Sequence, residues 1–143
     1  MNLITVYPLR VTSTWVINYC YLIVNVSMKT AVLVDPAWEL NTVEQQLQTS
    51  DVKLHGILLT HHHEDHVNLA APLATKYQVP VYMAQDEINY YNFQCPRLIA
   101  IENFTPFRLG MIPITPIFTP GHTYGGTSYL IDDNLFLWRY AFY

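Results

Sequence analysis

Hydrophobic residues in the first quarter of the chain are grouped into three segments. Residues 3–9, 16–26 and 29–34 are rich in Val, Ile, Tyr and Leu, and residues 25–29 supply a turn between the last two. An Asp35-Pro36 pair follows the third segment. This pattern predicts an opening antiparallel meander of three strands that ends at the aspartate.

Helical periodicity begins after the meander. Asn41 is followed three residues later by Glu44, a spacing that resembles a capping box at the start of a helix. The predicted helix buries Leu40, Val43 and Leu47. We expect this helix to cross from the meander to the next strand.

Strand and helix patterns then alternate. Residues 53–59 predict a strand, residues 65–77 a second helix, and residues 80–83 a short strand. Alternation of this kind implies a partly parallel sheet. The first half of the chain therefore predicts an α/β arrangement.

The second half predicts one short helix and then strands. Residues 85–91 favour a helix. Turn residues separate five strand-like segments, which are residues 97–101, 107–109, 112–118, 127–131 and 135–138. We expect this half to be mostly antiparallel, which makes the whole chain α+β in the broader sense.

Composition limits the class of protein. The chain has 143 residues, of which 51% are hydrophobic and 13% charged, so we expect one domain spanning residues 1–143. A net charge of -4, with Lys and Arg scattered singly, argues against a nucleic-acid partner. Cys20 and Cys95 share no motif spacing, so we expect both to be small core residues.

Neither a membrane span nor a secretion signal is evident. The apolar run of residues 15–26 contains Asn18 and Asn25 and is shorter than the roughly 20 residues that a bilayer requires. Residues 1–6 lack a basic segment and a cleavage signature. We therefore expect a cytoplasmic protein that is not associated with a membrane.

Histidines are concentrated in two short segments. Five of the six histidines lie within residues 60–66 or 119–123. Side chains alternate in an extended segment, so His61 and His63 point to the same side and can bind one ion. Neutral imidazoles with one carboxylate suit zinc, and iron or manganese less exclusively.

The remaining polar residues of segment 60–66 have different predicted roles. His62 and Glu64 face away from the ion, so we expect them to be solvated. Asp65 lies where a helical period begins and is predicted to be its N-cap, with His66 on the first turn. The candidate ligands are thus held between the end of a strand and the start of a helix.

These motifs carry a family resemblance. A strand ending in His-x-His-x-Asp-His, followed at a distance by Thr-Pro-Gly-His-Thr at residues 119–123, resembles the metallo-β-lactamase superfamily and its glyoxalase II-like hydrolases. Within that group, residues 18–21, 35–40 and 67–69 are similar to the small zinc-dependent hydrolases of bacterial polyketide biosynthesis clusters.

The resemblance implies an αβ/βα sandwich with metals at one edge between two sheets. It assigns His61, His63 and His122 to a first metal site, and Asp65 and His66 to a second. The family completes the second site with a bridging aspartate and a later histidine. This chain has no histidine after His122, so we expect only the N-terminal part of the sandwich, an incomplete second half and one zinc ion. Asp65 is the expected catalytic residue, which orients a water or takes its proton.

The C-terminal residues depart from the family pattern. Family members read Leu-Phe-Ser-Gly-Asp-Thr-Leu-Phe where this chain continues from Leu135 to Tyr143. Codons CTC TGG CGA TAC GCT TTT for residues 137–142, read one base later, encode Ser-Gly-Asp-Thr-Leu-Phe. We therefore hypothesise a single-base frameshift, which the DNA sequence beyond codon 143 tests: it should contain a family-like reading frame.

The same departure predicts poor solubility. An incomplete second half leaves a sheet face uncovered, and exposed apolar patches promote association. The tail adds further apolar residues with strand propensity, namely Leu135, Phe136, Leu137, Trp138, Tyr140, Phe142 and Tyr143.

Three functions are consistent with these observations. The resemblance implies a zinc-dependent hydrolase that cleaves an acyl thioester. The acyl group is carried either on a protein or on the small molecule glutathione. One alternative is an iron-dependent dioxygenase acting on persulfides, because the same fold hosts mononuclear iron. The other is a non-catalytic remnant that binds one metal weakly or none. Metal identity and stoichiometry distinguish the three.

Overall fold

A computed structural model of the chain describes residues 3–138. Within this part, ten strands and four helices follow the predicted order closely. They are β1 (Ile4–Ser13), β2 (Val16–Asn25), β3 (Thr30–Val34), α1 (Leu40–Ser50), β4 (Lys53–Leu58), α2 (Glu64–Val67), α3 (Ala70–Tyr77), β5 (Val81–Ala84), α4 (Gln85–Tyr91), β6 (Leu98–Ile101), β7 (Phe107–Leu109), β8 (Ile112–Phe118), β9 (Thr127–Ile131) and β10 (Asn134–Phe136).

The first sheet has six strands in the order β1-β2-β3-β4-β5-β6. The first three are antiparallel, as the predicted meander requires. From β3 to β6 the neighbours are parallel, because each connection includes a helix that carries the chain back to the same end of the sheet. The prediction of a partly parallel sheet is confirmed.

The second sheet has four antiparallel strands in the order β10-β9-β8-β7. Its last strand is shorter than predicted and ends at Phe136. Leu130 and Leu135 pair across β9 and β10 and are both exposed. Three residues of the predicted apolar tail, Tyr140, Phe142 and Tyr143, lie outside the described residues.

Two hydrophobic cores cover the opposite faces of the first sheet. One packs the two sheets together, because alternate residues along a strand face opposite sides; it includes Ile23, Val32, Val34 and Leu58 with Ile112, Ile114, Tyr129 and Ile131. The other packs helices on the sheet and includes Leu22, Leu33 and Ile57 with Val43, Leu47 and Leu73. The layers are therefore helix, sheet and sheet, which is the expected metallo-β-lactamase type of sandwich over its N-terminal part.

The two cysteines belong to the helix-side core. Cys20 is fully buried there, and Cys95 packs against it half-buried. Both thiols are free, so the prediction that they are core residues is confirmed. None of the helices in residues 3–138 has the length and apolar character needed to cross a membrane.

The predicted capping box at the start of α1 is wrong. The helix begins at Leu40 with Glu39 at the N-cap position and no side-chain capping bond. Glu44 does not reach back to the helix start, because its Oε1 accepts a hydrogen bond of 2.9 Å from the Tyr77 hydroxyl. Its carboxylate is thus used to join α1 to α3.

The predicted helix over residues 65–77 is divided in two. Pro72 has no N–H to donate to the carbonyl of Asn68, and its ring would clash with that carbonyl in a continuous helix. At this break between the two pieces, the side-chain oxygen of Asn68 accepts the Trp38 backbone N–H at 2.8 Å. The N-cap of the first piece is His63, without a side-chain capping bond, so the prediction that Asp65 is the N-cap is also wrong.

One buried hydrogen bond joins the second sheet to the end of β4. The Tyr129 hydroxyl donates to the Leu59 carbonyl at 2.7 Å, and Tyr129 is fully buried. We predict that Tyr129→Phe lowers the free energy of unfolding by about 1–2 kcal/mol, because a buried carbonyl loses its donor. Urea denaturation measures the change. Tyr19→Phe is the matched control, since Tyr19 is exposed; an equal effect in both variants would contradict the assignment.

Candidate metal centre

Three histidines from two distant segments converge at one edge of the sandwich. His61 and His63 follow β4, and His122 follows β8. The ring centroids of His61 and His63 are 4.8 Å apart, and that of His122 lies 5.0 Å and 4.7 Å from them. One nitrogen from each of the three falls within 4.8 Å of the others. The structure therefore brings together the three residues that the sequence assigned to a first metal site.

The surroundings of the three rings favour the neutral form of each imidazole. Burial, with a further contribution from the charges of the neighbouring histidines, lowers the pKa of His61 to about 2. Burial, again with a contribution from neighbouring histidines, also lowers the pKa of His63 and of His122. Neutral imidazole is the form that binds a metal ion.

The orientation of His61 is set by its neighbour in sequence. Its Nδ1 lies 2.8 Å from the Thr60 hydroxyl. Its Nε2 is buried and has no hydrogen-bond partner among the described residues. A buried polar atom without a partner is costly, and a ligand at this nitrogen would remove that cost.

Asp35 supports this edge, and sequence reasoning missed its role. The buried carboxylate accepts the Thr60 N–H at 2.8 Å and the Thr60 hydroxyl at 2.6 Å. His66 Nδ1 lies 3.2 Å from the same carboxylate. From the sequence, Asp35 is recognisable only as the residue that ends a strand. The signal that could have revealed its role is that the parallel strands β3 and β4 end at the same edge of the sheet, with Asp35 and Thr60 just after them.

Asp65 and His66 lie beside the three histidines. His66 Nε2 is 3.6 Å from Asp65 Oδ2, and the rings of His66 and His61 are 4.4 Å apart. Asn18 donates to Asp65 Oδ2 at 3.0 Å and thereby orients the carboxylate. Burial opposes protonation of His66, but its hydrogen bond to Asp35 and the charges of Asp35 and Asp65 raise the pKa overall.

The prediction that His62 is a solvated residue is wrong. Its Nδ1 lies 2.8 Å from Glu87 Oε2, and its ring stacks on Tyr91 with centroids 3.7 Å apart. His62 does face away from the cluster, but it meets α4 there rather than solvent. Glu64 is exposed, as predicted. Glu87 and Tyr91 were not recognised from the sequence, because nothing local indicates that α4 packs under this loop.

A tight turn delivers His122 to the cluster. Gly121 has a φ of 150°, a conformation that residues with a side chain rarely adopt. Its N–H donates to the Thr123 carbonyl at 3.0 Å, which closes the turn around His122. Trp138 stacks on the His122 ring with centroids 3.4 Å apart. Both rings, with His61 and Thr60, line a cavity of about 290 Å³.

The fold and this cluster can now be compared with known proteins. Residues 13–137 match the Metallo-beta-lactamase superfamily. The probable polyketide biosynthesis zinc-dependent hydrolase BaeB of Bacillus velezensis is 50% identical over 119 residues, which cover 83% of this chain and 53% of BaeB. The cytoplasmic hydroxyacylglutathione hydrolase of Saccharomyces cerevisiae is 30% identical over 118 residues, which cover 82% of this chain and 43% of that enzyme.

The solved structures agree on the fold. The B3 metallo-beta-lactamase BLEG-1 superposes with a TM-score of 0.75 at 21% sequence identity, over 89% of this chain and 67% of BLEG-1. The chain spans about half the length of the curated relatives it matches. Because the family match extends over residues 13–137 and includes every strand from β2 to β10 and all the histidines of the cluster, the chain belongs to the metallo-β-lactamase superfamily.

Proposed function

We propose that the chain is a zinc-dependent hydrolase that acts on an acyl thioester, carried on a protein or on glutathione. The observation that carries the proposal is the convergence of His61, His63 and His122, with a buried Nε2 of His61 left without a partner. The names of the two relatives support it, since one is a zinc-dependent hydrolase and the other hydrolyses a hydroxyacylglutathione. The free cysteines fit the reducing cytoplasm that we propose as the location.

The residues present fit a zinc ion. The Thr60 hydroxyl has one proton, and at 2.6 Å it donates that proton to Asp35. Its oxygen then accepts the Nδ1–H of His61 at 2.8 Å. This assignment leaves the lone pair of His61 Nε2 free, which is the tautomer that a metal ligand needs.

We propose one ion rather than two. The second possible group, Asp35, His61 and His66, shares His61 with the first. Its carboxylate already accepts two hydrogen bonds from Thr60 and faces His66 Nδ1. The three-histidine group contains no carboxylate, and its His63 Nδ1 and His122 Nε2 lie only 2.9 Å apart, so both face the same point. Three imidazoles and a water suit a tetrahedral zinc, and we therefore assign the ion to this group.

The chemistry of the site divides between ion and protein. Zinc held by His61, His63 and His122 would supply a Lewis acid that lowers the pKa of water to about 7 and polarises a carbonyl. Asp65, whose carboxylate Asn18 orients at 3.0 Å, would hold the attacking water or take its proton. Trp138 covers one side of the His122 ring and limits solvent access there.

Metal analysis tests the site. We predict about one zinc per chain after reconstitution, as three histidines and a water form a tetrahedral site. His122→Ala should lose most of this zinc, whereas His55→Asn, on β4, should retain it. Emission spectrometry of gel-filtered protein measures both. Two zinc ions per chain would contradict the single site, none would favour the non-catalytic alternative, and iron in the purified protein would favour the dioxygenase.

Hydrolysis assays test the reaction. We predict that the zinc-loaded chain cleaves a hydroxyacylglutathione or an acyl-pantetheine thioester faster than the matching oxygen ester. Asp65→Asn should lower kcat/KM by about 10²-fold or more, because proton transfer by a placed side chain contributes that much. The control Glu64→Gln changes an exposed neighbour and should have little effect. Equal loss in the two variants, or no preference for thioesters, would refute the proposal.

A further inference from the structure

Glu87 of α4 is a fully buried acidic residue outside the histidine cluster. A carboxyl group in this position is costly unless its oxygens accept hydrogen bonds. Oε2 accepts the His62 N–H at 2.9 Å and lies 2.8 Å from His62 Nδ1. Oε1 accepts the Gly125 N–H at 2.8 Å. Each oxygen therefore binds a different loop.

Those two loops are the ones that carry the candidate ligands. His62 lies between His61 and His63, and Gly125 lies three residues after His122. One carboxyl group thus joins segments that are far apart in sequence, at a position adjacent to His61 and His63 in one segment and three residues from His122 in the other. The same segments also meet where the Thr127 N–H donates to the Thr60 carbonyl at 2.9 Å and where His63 Nδ1 lies 2.9 Å from His122 Nε2, but Glu87 contacts both from a third element.

The helix makes a second contact with both loops. Tyr91 stacks on the His62 ring, and its hydroxyl accepts the Tyr124 N–H at 3.1 Å. The approach is close: a Cβ at Gly125 would lie 2.3 Å from the Glu87 nitrogen. Only glycine permits this distance, so the loop after His122 is seated directly on α4.

We propose that Glu87 is a positioning residue that sets the spacing between the His61–His63 segment and His122, and thereby the affinity for the metal ion. The inference rests on the proposed metal-dependent function. Ligand geometry must be held within about 0.5 Å for a metal site to work well. Loss of the carboxyl group would release the His62 and Gly125 backbones together and let the two ligand segments drift apart.

Two substitutions of Glu87 and one control separate this role from simple stability. Glu87→Gln keeps the size of the side chain but loses an acceptor oxygen, so one loop is released. Glu87→Ala loses both oxygens and releases both loops. Asp86→Asn makes the same carboxyl-to-amide change on the exposed side of the same helix and is the matched control.

Hydrogen exchange of the metal-free chain tests directly whether Glu87 holds the two ligand segments in place. We expect faster exchange in residues 60–66 and 121–127 in Glu87→Ala, and in at least one of these segments in Glu87→Gln. Exchange in α1 should be unchanged. A global loss of stability would instead make exchange in α1 faster as well. Asp86→Asn should match the original chain. Unchanged exchange in both ligand segments of Glu87→Gln and Glu87→Ala would overturn the proposal.

Cobalt(II) titration then tests whether the contacts of Glu87 affect metal binding. We expect Glu87→Gln to bind cobalt about 10- to 100-fold more weakly, with an altered visible absorption band, as loss of a supporting contact typically produces. Unaltered affinity and spectrum would contradict the positioning role. If the original chain binds neither cobalt nor zinc, the proposed function fails, and the exchange experiment alone still decides whether Glu87 holds the loops.

Discussion

The buried carboxylate of Asp35 is the constraint around which the metal-site edge is built. It lies where β3 ends, and it must be satisfied because an unpaired buried charge is costly. Both Thr60 bonds, at 2.8 Å and 2.6 Å, satisfy it and bind the end of β4 to the end of β3. The same bonds determine which nitrogen of His61 carries its proton. A single buried acid therefore both joins the ends of two paired strands and sets the tautomer of a candidate metal ligand.

The sandwich explains how the third histidine arrives. The second sheet packs on the first through a continuous apolar core, and Tyr129 adds a hydrogen bond from β9 to the carbonyl of Leu59. That bond lies two residues before His61, so the second sheet is attached directly beside the cluster. The turn with Gly121 then brings His122 over the two histidines of the first sheet. Packing between sheets, rather than local sequence, fixes this distance.

The helices under the cluster have a related role. The last two of the three parallel crossovers, the one with α2 and α3 and the one with α4, each supply a contact near the site. The division of the predicted helix at Asn68 lets that residue bond to the loop after β3. The buried Glu87 of α4 contacts both ligand segments. Parallel strands need helical crossovers, and here the crossovers also shape the site.

The sequence by itself determined the order of strands and helices, the pairing of His61 with His63, and the family likeness. These depend on local spacing: apolar residues recur with the period of a strand or a helix, and two histidines two apart in an extended segment share a face. The same local rules failed where distant contacts compete, as for the cap at Asn41, the helix across Pro72 and the solvated His62.

Only the tertiary structure decided the roles of Asp35, Glu87 and Asn18. Asp35 acts on Thr60, 25 positions away, and Glu87 acts on Gly125, 38 positions away. Hydrogen bonds between such distant residues leave no periodic signal, because they depend on how two sheets and a helix meet. A cluster of histidines can therefore be located from the sequence, whereas the buried acids that hold it in place become visible only when the chain is folded.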